Sequence, residues 1–391
     1  MKYLLLLTLI FIARYTSAQF NPLKPNLRQG NFFTEDSAAY ILQNIATKYN
    51  DKSSWEKRAA LIRQGIFDGA EINGISKRKP FKSKVRSLKI FDGYTVSNVY
   101  LEGIEGIYIT GNLYRPLKHK GKMAGVLCPH GHGVSPRFAE YTQQRCATLA
   151  RMGAIVFAYD MSGMGEATQC DHKIDKAFKL QLINGTYALD FMCSIPDVDT
   201  TRIGMTGESG GGTQTFMLAA IDSRIKVSVP VVMVSAHFFG GCVCESGMPV
   251  HVRASHETSN VEIAALFAPK PMLLISDGND WTKNTPRSEF PFIQKVYSFY
   301  GVSNSVENIH LANEGHDYGI SKRRAMYAFM AKNLKLNLNK VLKDNKIDES
   351  TNTILSPIQL SVFDTANARP SNAVVGNEAM MNTLNQNWLK E

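Results

Sequence analysis

Gly207-Glu208-Ser209-Gly210-Gly211 is a G-x-S-x-G unit set between an apolar run, Ile203-Gly204-Met205-Thr206, and a helix-compatible stretch, TQTFMLAAI. A serine on so sharp a strand-to-helix turn needs neighbours nearly free of side chain, and its oxygen then projects above the sheet. The positive end of the following helix favours negative charge there. A neutral hydroxyl is a poor nucleophile, so it needs a base and an acid that orients the base. Both follow downstream. PMLLIS leads into Asp277-Gly278-Asn279-Asp280-Trp281-Thr282, and NIHLAN into Glu314-Gly315-His316-Asp317-Tyr318. The expected catalytic set is Ser209, His316 and Asp280. Asp277 competes with Asp280 for the acid; directly after the strand, it is expected to hold the loop through a local turn bond.

The tetrahedral oxyanion of acyl transfer needs N–H donors aimed at it. Gly210, next after the serine, supplies one backbone N–H. The loop after an earlier apolar run, GVLCPHGHG (125–133), supplies the other, assigned to His132. His130 and His132 also form an H-x-H pair after a strand, a pattern that binds zinc in some hydrolases. A metal-dependent hydrolase built on His130 and His132 is therefore the rival chemistry. It leaves the serine turn without a job, so no metal and no cofactor is expected.

These residues sit at the ends of apolar runs. Ala124–Cys128, Ala154–Tyr159, Arg202–Thr206, Val227–Val234, Pro271–Ser276 and Asn308–Leu311 alternate with amphipathic stretches. That is the pattern of a mostly parallel sheet with helices on both faces, whose reactive groups collect at the C-terminal strand ends. The run from Tyr94 to Tyr114 alternates and predicts an antiparallel meander. Residues 34–68 predict helix, and the basic segment 77–89 a solvated connector.

The 391 residues are 44% apolar and 20% charged, with a net charge of +10. This excludes a disordered chain and a polytopic membrane protein. Lys2, the apolar run Leu4 to Ala13, and Thr16-Ser17-Ala18 predict a signal peptide over 1–18, cleaved near Ala18, and a periplasmic or secreted protein. The apolar run is too short to span a bilayer. The six cysteines allow up to three bridges, and no pairing is assigned. Export and the lack of interleaved aromatics in 77–89 disfavour a nucleic-acid arm, and no nucleic-acid partner is expected.

GIYITGNLYRP, CPHGHG, YDMSGMGE, PDVDTTRIGMTGESGGGTQT, GGCVCES, SDGNDWTKNTP and EGHDYG together resemble the α/β-hydrolase superfamily, and within it the acetylxylan-esterase-like carbohydrate esterases of bacteria. The likeness covers roughly residues 90–335. It implies an α/β-hydrolase fold with an N-terminal helical segment and β-meander before a mostly parallel sheet. The expected organisation is a leader (1–18), a helical extension (19–90), a catalytic domain (91–338) and a C-terminal tail or cover (339–391). The family's acid is similarly the Asp of a D-W-T tripeptide, which favours Asp280. The implied activity is hydrolysis of acetyl or uronate methyl esters on polysaccharide. The basic charge suits an acidic polysaccharide, and Arg137, Glu245 and Arg253 are candidates to contact it. A peptidase of the prolyl-oligopeptidase type is the rival within the fold, but the residues before 120 are too few for its propeller. A non-catalytic carbohydrate-binding scaffold is disfavoured by the intact serine, histidine and aspartate.

Overall fold

The structure, a computed structural model, describes residues 33–134 and 136–386; the expected leader over 1–18 lies outside the described residues. Two helices come first, α1 (Glu35–Ala46) and α2 (Lys52–Gly69). Thr34 caps α1 by accepting the Ser37 N–H at 3.2 Å, and Glu35 and Asp36 lie against its positive end. Asp51 and Ser54 form a capping box on α2, whose buried Trp55, Ala59, Ile62 and Ile66 recur at helical spacing.

A meander follows: β1 (Lys82–Phe91), β2 (Tyr94–Glu102) and β3 (Tyr108–Pro116). Strands and helices then alternate through β4 (Met123–Pro129), α3 (Glu140–Arg151), β5 (Ala154–Tyr159), α4 (Ala177–Ser194), β6 (Val198–Glu208), α5 (Gly210–Ile221) and β7 (Val227–Val231). A short turn α6 (Val243–Ser246), a small hairpin of β8 (Val252–Arg253) and β9 (His256–Glu257), and α7 (Asn260–Ala265) intervene. The sheet resumes with β10 (Met272–Asp277), α8 (Glu289–Ser298), β11 (Val306–Leu311) and α9 (Ile320–Leu334). A second small hairpin, β12 (Leu342–Lys343) with β13 (Lys346–Ile347), precedes α10 (Pro357–Leu360) and α11 (Asn377–Asn385).

The main sheet has nine strands in the order β1-β2-β3-β5-β4-β6-β7-β10-β11. β1, β2 and β3 are antiparallel, β3 meets β5 antiparallel, and the other pairings are parallel. This is the expected mixed sheet with helices around it. β4 and β5 read as unbroken apolar runs because both of their faces are covered. Leu127 and Phe157 enter one core with Trp55, Phe178 and Phe216, while Val126 and Val156 enter the other with Leu149, Met326 and Met330.

The basic segment departs from expectation, because Lys82–Phe91 is an edge strand and not a solvated connector. Val85, Leu88 and Ile90 are exposed, so no burial pattern marked it. Backbone pairing forms it, from Lys82↔Glu102 to Phe91↔Tyr94 with a bulge between Arg86 and Lys89. Its lysines and arginine keep the free edge from pairing with another chain.

The C-terminal segment runs back across the meander. Asn112 Nδ2 donates to Leu360 O at 3.0 Å, and Glu166 Oε2 accepts the Val362 N–H at 2.8 Å. Leu360 and Val362 are fully buried there.

Candidate active site

Ser209 closes β6 with φ +55° and ψ −123°, a strained backbone for a residue with a Cβ. The strain is held by its surroundings. The Ser209 N–H donates to Val231 O at 3.1 Å. A Cβ at Gly207 or Gly211 would come within 2.6 or 2.7 Å of the Pro129 carbonyl oxygen, so only glycine lets the turn press against β4. Gly210 opens α5, where the first N–H groups have no partner within the helix.

Asp280 and His316 come from the loops after β10 and β11. His316 Nδ1 lies 2.7 Å from Asp280 Oδ2, the carboxylate buried and the imidazole about a third exposed at 32%. With the Nδ1 proton donated to Asp280, Nε2 keeps a lone pair. Asp280 Oδ1 is fixed from behind by the Thr282 hydroxyl at 2.6 Å. The imidazole rests beside Trp281 at 4.3 Å between ring centroids, and Trp281 packs on Phe238 at 4.2 Å. Asp277 instead accepts the Asn279 N–H at 3.1 Å, a local turn bond, and faces the buried Lys322 at 3.5 Å. Burial, then the charge of Asp280, pushes the Asp277 carboxyl up to about 6. Lys322 also binds Gly315 O at 2.7 Å and Asp317 at 2.8 Å, so it braces the loop that carries His316.

Ser209, His316, Gly131 and His132 line one pocket of about 360 Å³, together with Tyr141, Glu208 and Tyr318. Glu208 positions its rim. Oε1 accepts the Gly131 N–H at 2.9 Å, and Oε2 pairs with the fully buried Arg145 at 2.8 Å. Arg145 in turn lies 4.4 Å from the Tyr318 ring, whose hydroxyl meets Thr206 Oγ1 at 2.7 Å. Sequence reasoning missed Glu208, Arg145 and Lys322. Nothing marks them beyond charge, since their partners are distant in the chain.

Other expected residues land elsewhere. His130 is buried, with Nδ1 2.8 Å from Gly131 O and Nε2 accepting the Met161 N–H at 3.2 Å, so it does not share a donor cluster with His132. Arg137 is also buried, its guanidinium taken up by Asp160 at 2.9 Å, Glu166 at 2.6 Å and Asn112, and this occupies the donors a uronate would need. Glu245 caps α6, accepting the Cys242 N–H at 3.1 Å. Arg253 donates to Gly65 O and Pro249 O at 2.8 Å each. All three work within the fold.

His132 has partners that spacing did not suggest. Its Nε2 lies 3.1 Å from His172 Nε2 and 3.2 Å from Cys244 Sγ, and Cys242 joins the same group. The Cys242 thiol is held far below its usual range by Cys244 first, then by His132 and His172.

No family model matches the sequence. Among solved structures, methylesterase BT1017 is similar over 93% of this chain and 82% of its own, with 37% identity and a TM-score of 0.83. A glucuronoyl esterase from Solibacter usitatus shares the fold, with 16% identity, a TM-score of 0.54 and coverage of 73% of this chain and 94% of its own. A glucuronoyl esterase from Teredinibacter turnerae T7901 does so at 11% identity, a TM-score of 0.54 and coverage of 76% and 99%. The chain therefore belongs to the α/β-hydrolase carbohydrate esterases, in one family with BT1017. It is a carboxylic ester hydrolase.

Proposed function

We propose that the protein is an exported serine esterase that removes methyl esters from uronates of an acidic polysaccharide. The observation that carries this is the Asp280–His316 contact at 2.7 Å, beside a pocket that His316 and Ser209 line together. Ser209 Oγ attacks the ester carbonyl, and its proton passes to His316 Nε2. Asp280 holds the imidazole in the required tautomer and balances its charge. The N–H groups of Gly210 and His132 receive the oxyanion. Collapse breaks the ester C–O bond, and methanol leaves with the proton from Nε2. Water then attacks the acyl-enzyme, His316 takes its proton and returns it to Ser209, and the uronate departs.

Three features support the methyl ester over the acetyl ester. The relative at 37% identity is a methylesterase. A pocket of about 360 Å³ has room for the sugar that forms the acyl side of a uronate ester. The net charge of +10, or +8 once Lys2 and Arg14 leave with the leader, favours an anionic polymer. The signal-like start, Lys2 through Ala18, supports export, and among the described residues no helix is long and apolar enough to cross a membrane.

Release of methanol and of acetate from methylated pectins and acetylated xylans tests this reading. Methanol release by the wild type is expected, with loss of at least about a thousandfold in Ser209→Ala. Acetate without methanol would refute the methyl ester, and turnover retained by Ser209→Ala would refute the nucleophile.

A further inference from the structure

We propose that His132, His172, Cys242 and Cys244 form a binding site for a thiophilic divalent cation, zinc foremost, which ties together the three loops around Ser209. One donor atom from each of the four residues lies within 4.8 Å of all the others. A tetrahedral zinc with Zn–N of about 2.0 Å and Zn–S of about 2.3 Å sets its donors roughly 3.3 Å apart for two nitrogens and roughly 3.6 Å for nitrogen and sulfur. The observed separations are 3.1 Å between the two Nε2 atoms and 3.2 Å from His132 Nε2 to Cys244 Sγ. Outward movement of a few tenths of an ångström would admit the ion.

His172 Nδ1 lies 2.7 Å from the Ser162 carbonyl oxygen, and only a protonated Nδ1 bonds there. In the neutral ring the Nε2 lone pair then points into the cluster. Such a carbonyl behind a histidine is the usual support for a metal ligand. The cysteine loop is also held from outside, by Glu245 on the Cys242 N–H at 3.1 Å. Cys242 and Cys244 are both buried, and two thiolates would neutralise a divalent ion in that setting.

Four protein donors leave no open position, so the site is structural and the metal is not the hydrolytic agent. This separates it from the metal-dependent mechanism weighed for His130 and His132. His132 comes from the loop after β4, His172 from the loop after β5, and the two cysteines from the segment after β7. The His132 ring lies against Gly210, where a Cβ would stand 2.7 Å from His132 Cε1. The cation would fix the loop whose His132 N–H is assigned to the oxyanion, and that link to catalysis alone rests on the proposed esterase mechanism.

The experiment measures bound metal in full-length protein purified without chelator and without a histidine tag, as wild type and as Ser209→Ala. About one zinc per chain is expected in both. Two thiols should resist a disulfide reagent until a chelator is added, and a cobalt-loaded sample should show thiolate-to-cobalt absorption in the near ultraviolet. Cys244→Ser and His172→Ala should lose at least tenfold in metal affinity. Unfolding of either variant leaves the wild-type stoichiometry, thiol count and cobalt spectrum to decide. Less than a tenth of an equivalent of metal after dialysis against zinc, or a Cys242–Cys244 disulfide found by mass spectrometry, would overturn the site. Stoichiometric metal whose removal leaves kcat unchanged would overturn the link to catalysis alone. An inactive protein that still holds its metal would count against the esterase mechanism and not against the site.

Discussion

Replacing Asp280 by asparagine tests the acid assignment with almost no change of shape. In the wild type, Oδ1 accepts from the Thr282 hydroxyl at 2.6 Å and from the Thr282 N–H at 2.5 Å, while Oδ2 faces His316 Nδ1 at 2.7 Å. Thr282 dictates which way the new amide turns. Its N–H can only donate, so the amide oxygen stays on that side and the NH₂ group points at His316. Nδ1 must then accept, which moves the ring proton to Nε2, where it faces the serine. The base is lost in its resting state, and nothing balances an imidazolium once formed. The expected fall in kcat is about ten-thousandfold, equivalent to about 5 kcal/mol, with KM changed by less than about threefold. Asp277→Asn is the control. Its carboxyl is already held up near 6 and its partners are a local N–H and Lys322. A fall of less than about tenfold is expected. The assay is initial-rate release of methanol, or of nitrophenol from an activated ester, on both variants with matched circular dichroism. If the Asp277 variant were the dead one and the Asp280 variant active, the tautomer argument would be wrong.

Glu208→Gln places an amide NH₂ against Arg145, a fully buried cation whose other contacts include the Pro129 carbonyl at 3.4 Å, the Tyr318 ring and the Cys128 and Cys146 thiols, and no second carboxylate among the described ion pairs. A loss of about 3 kcal/mol in urea unfolding is expected, with a lower kcat as the Gly131 loop loosens; a change under about 0.5 kcal/mol would show that the pair is dispensable. His251 is buried against Phe239, and burial lowers its pKa from 6.5 to about 4. Between those values the unfolded chain binds the proton and the native state does not. Stability from this group is complete above pH 6.5 and lost as pH falls through 4, by about 3 kcal/mol. His251→Gln should flatten the urea midpoint across that window, and an unchanged slope would exclude His251 as the cause. Ending the chain after Ile354 removes Leu355, Leu360, Val362, Met380 and Leu384, all buried. At about 1.5–3 kcal/mol each, their loss approaches the whole stability of a domain, so a soluble product with the wild-type Tm is not expected.

What could be read beforehand was what local pattern encodes. The buried parallel strands appear as apolar runs, because residues such as Leu127 and Val126 must satisfy opposite faces of one sheet. The serine turn is legible because close approach to Pro129 leaves only glycine. The strand over Lys82–Phe91 left no such trace, since most of its side chains are exposed and the partners of Arg86 and Phe91 come from other segments of the chain. Arg137 looked like a ligand for uronates because charge says nothing about depth; Asp160 and Glu166 are the reason it is inside. Cys242, Cys244 and His172 were not expected to meet, for a different reason. Their meeting with His132 depends on how three loops fold over the strand ends, and no spacing along the chain records it.

The tail that crosses Asn112 and Glu166 also sets a timetable for biosynthesis. Leu360 and Val362 emerge from the ribosome after every strand of the main sheet, yet the carbonyl of one serves the buried Asn112 and the N–H of the other the half-buried Glu166. A nascent polypeptide can form its central sheet early, but the antiparallel end stays unsealed until residues 355–362 have followed the last sheet strand out. Products of premature termination would therefore carry an open flank, and proteases would clear them before an esterase with a gaping side accumulated.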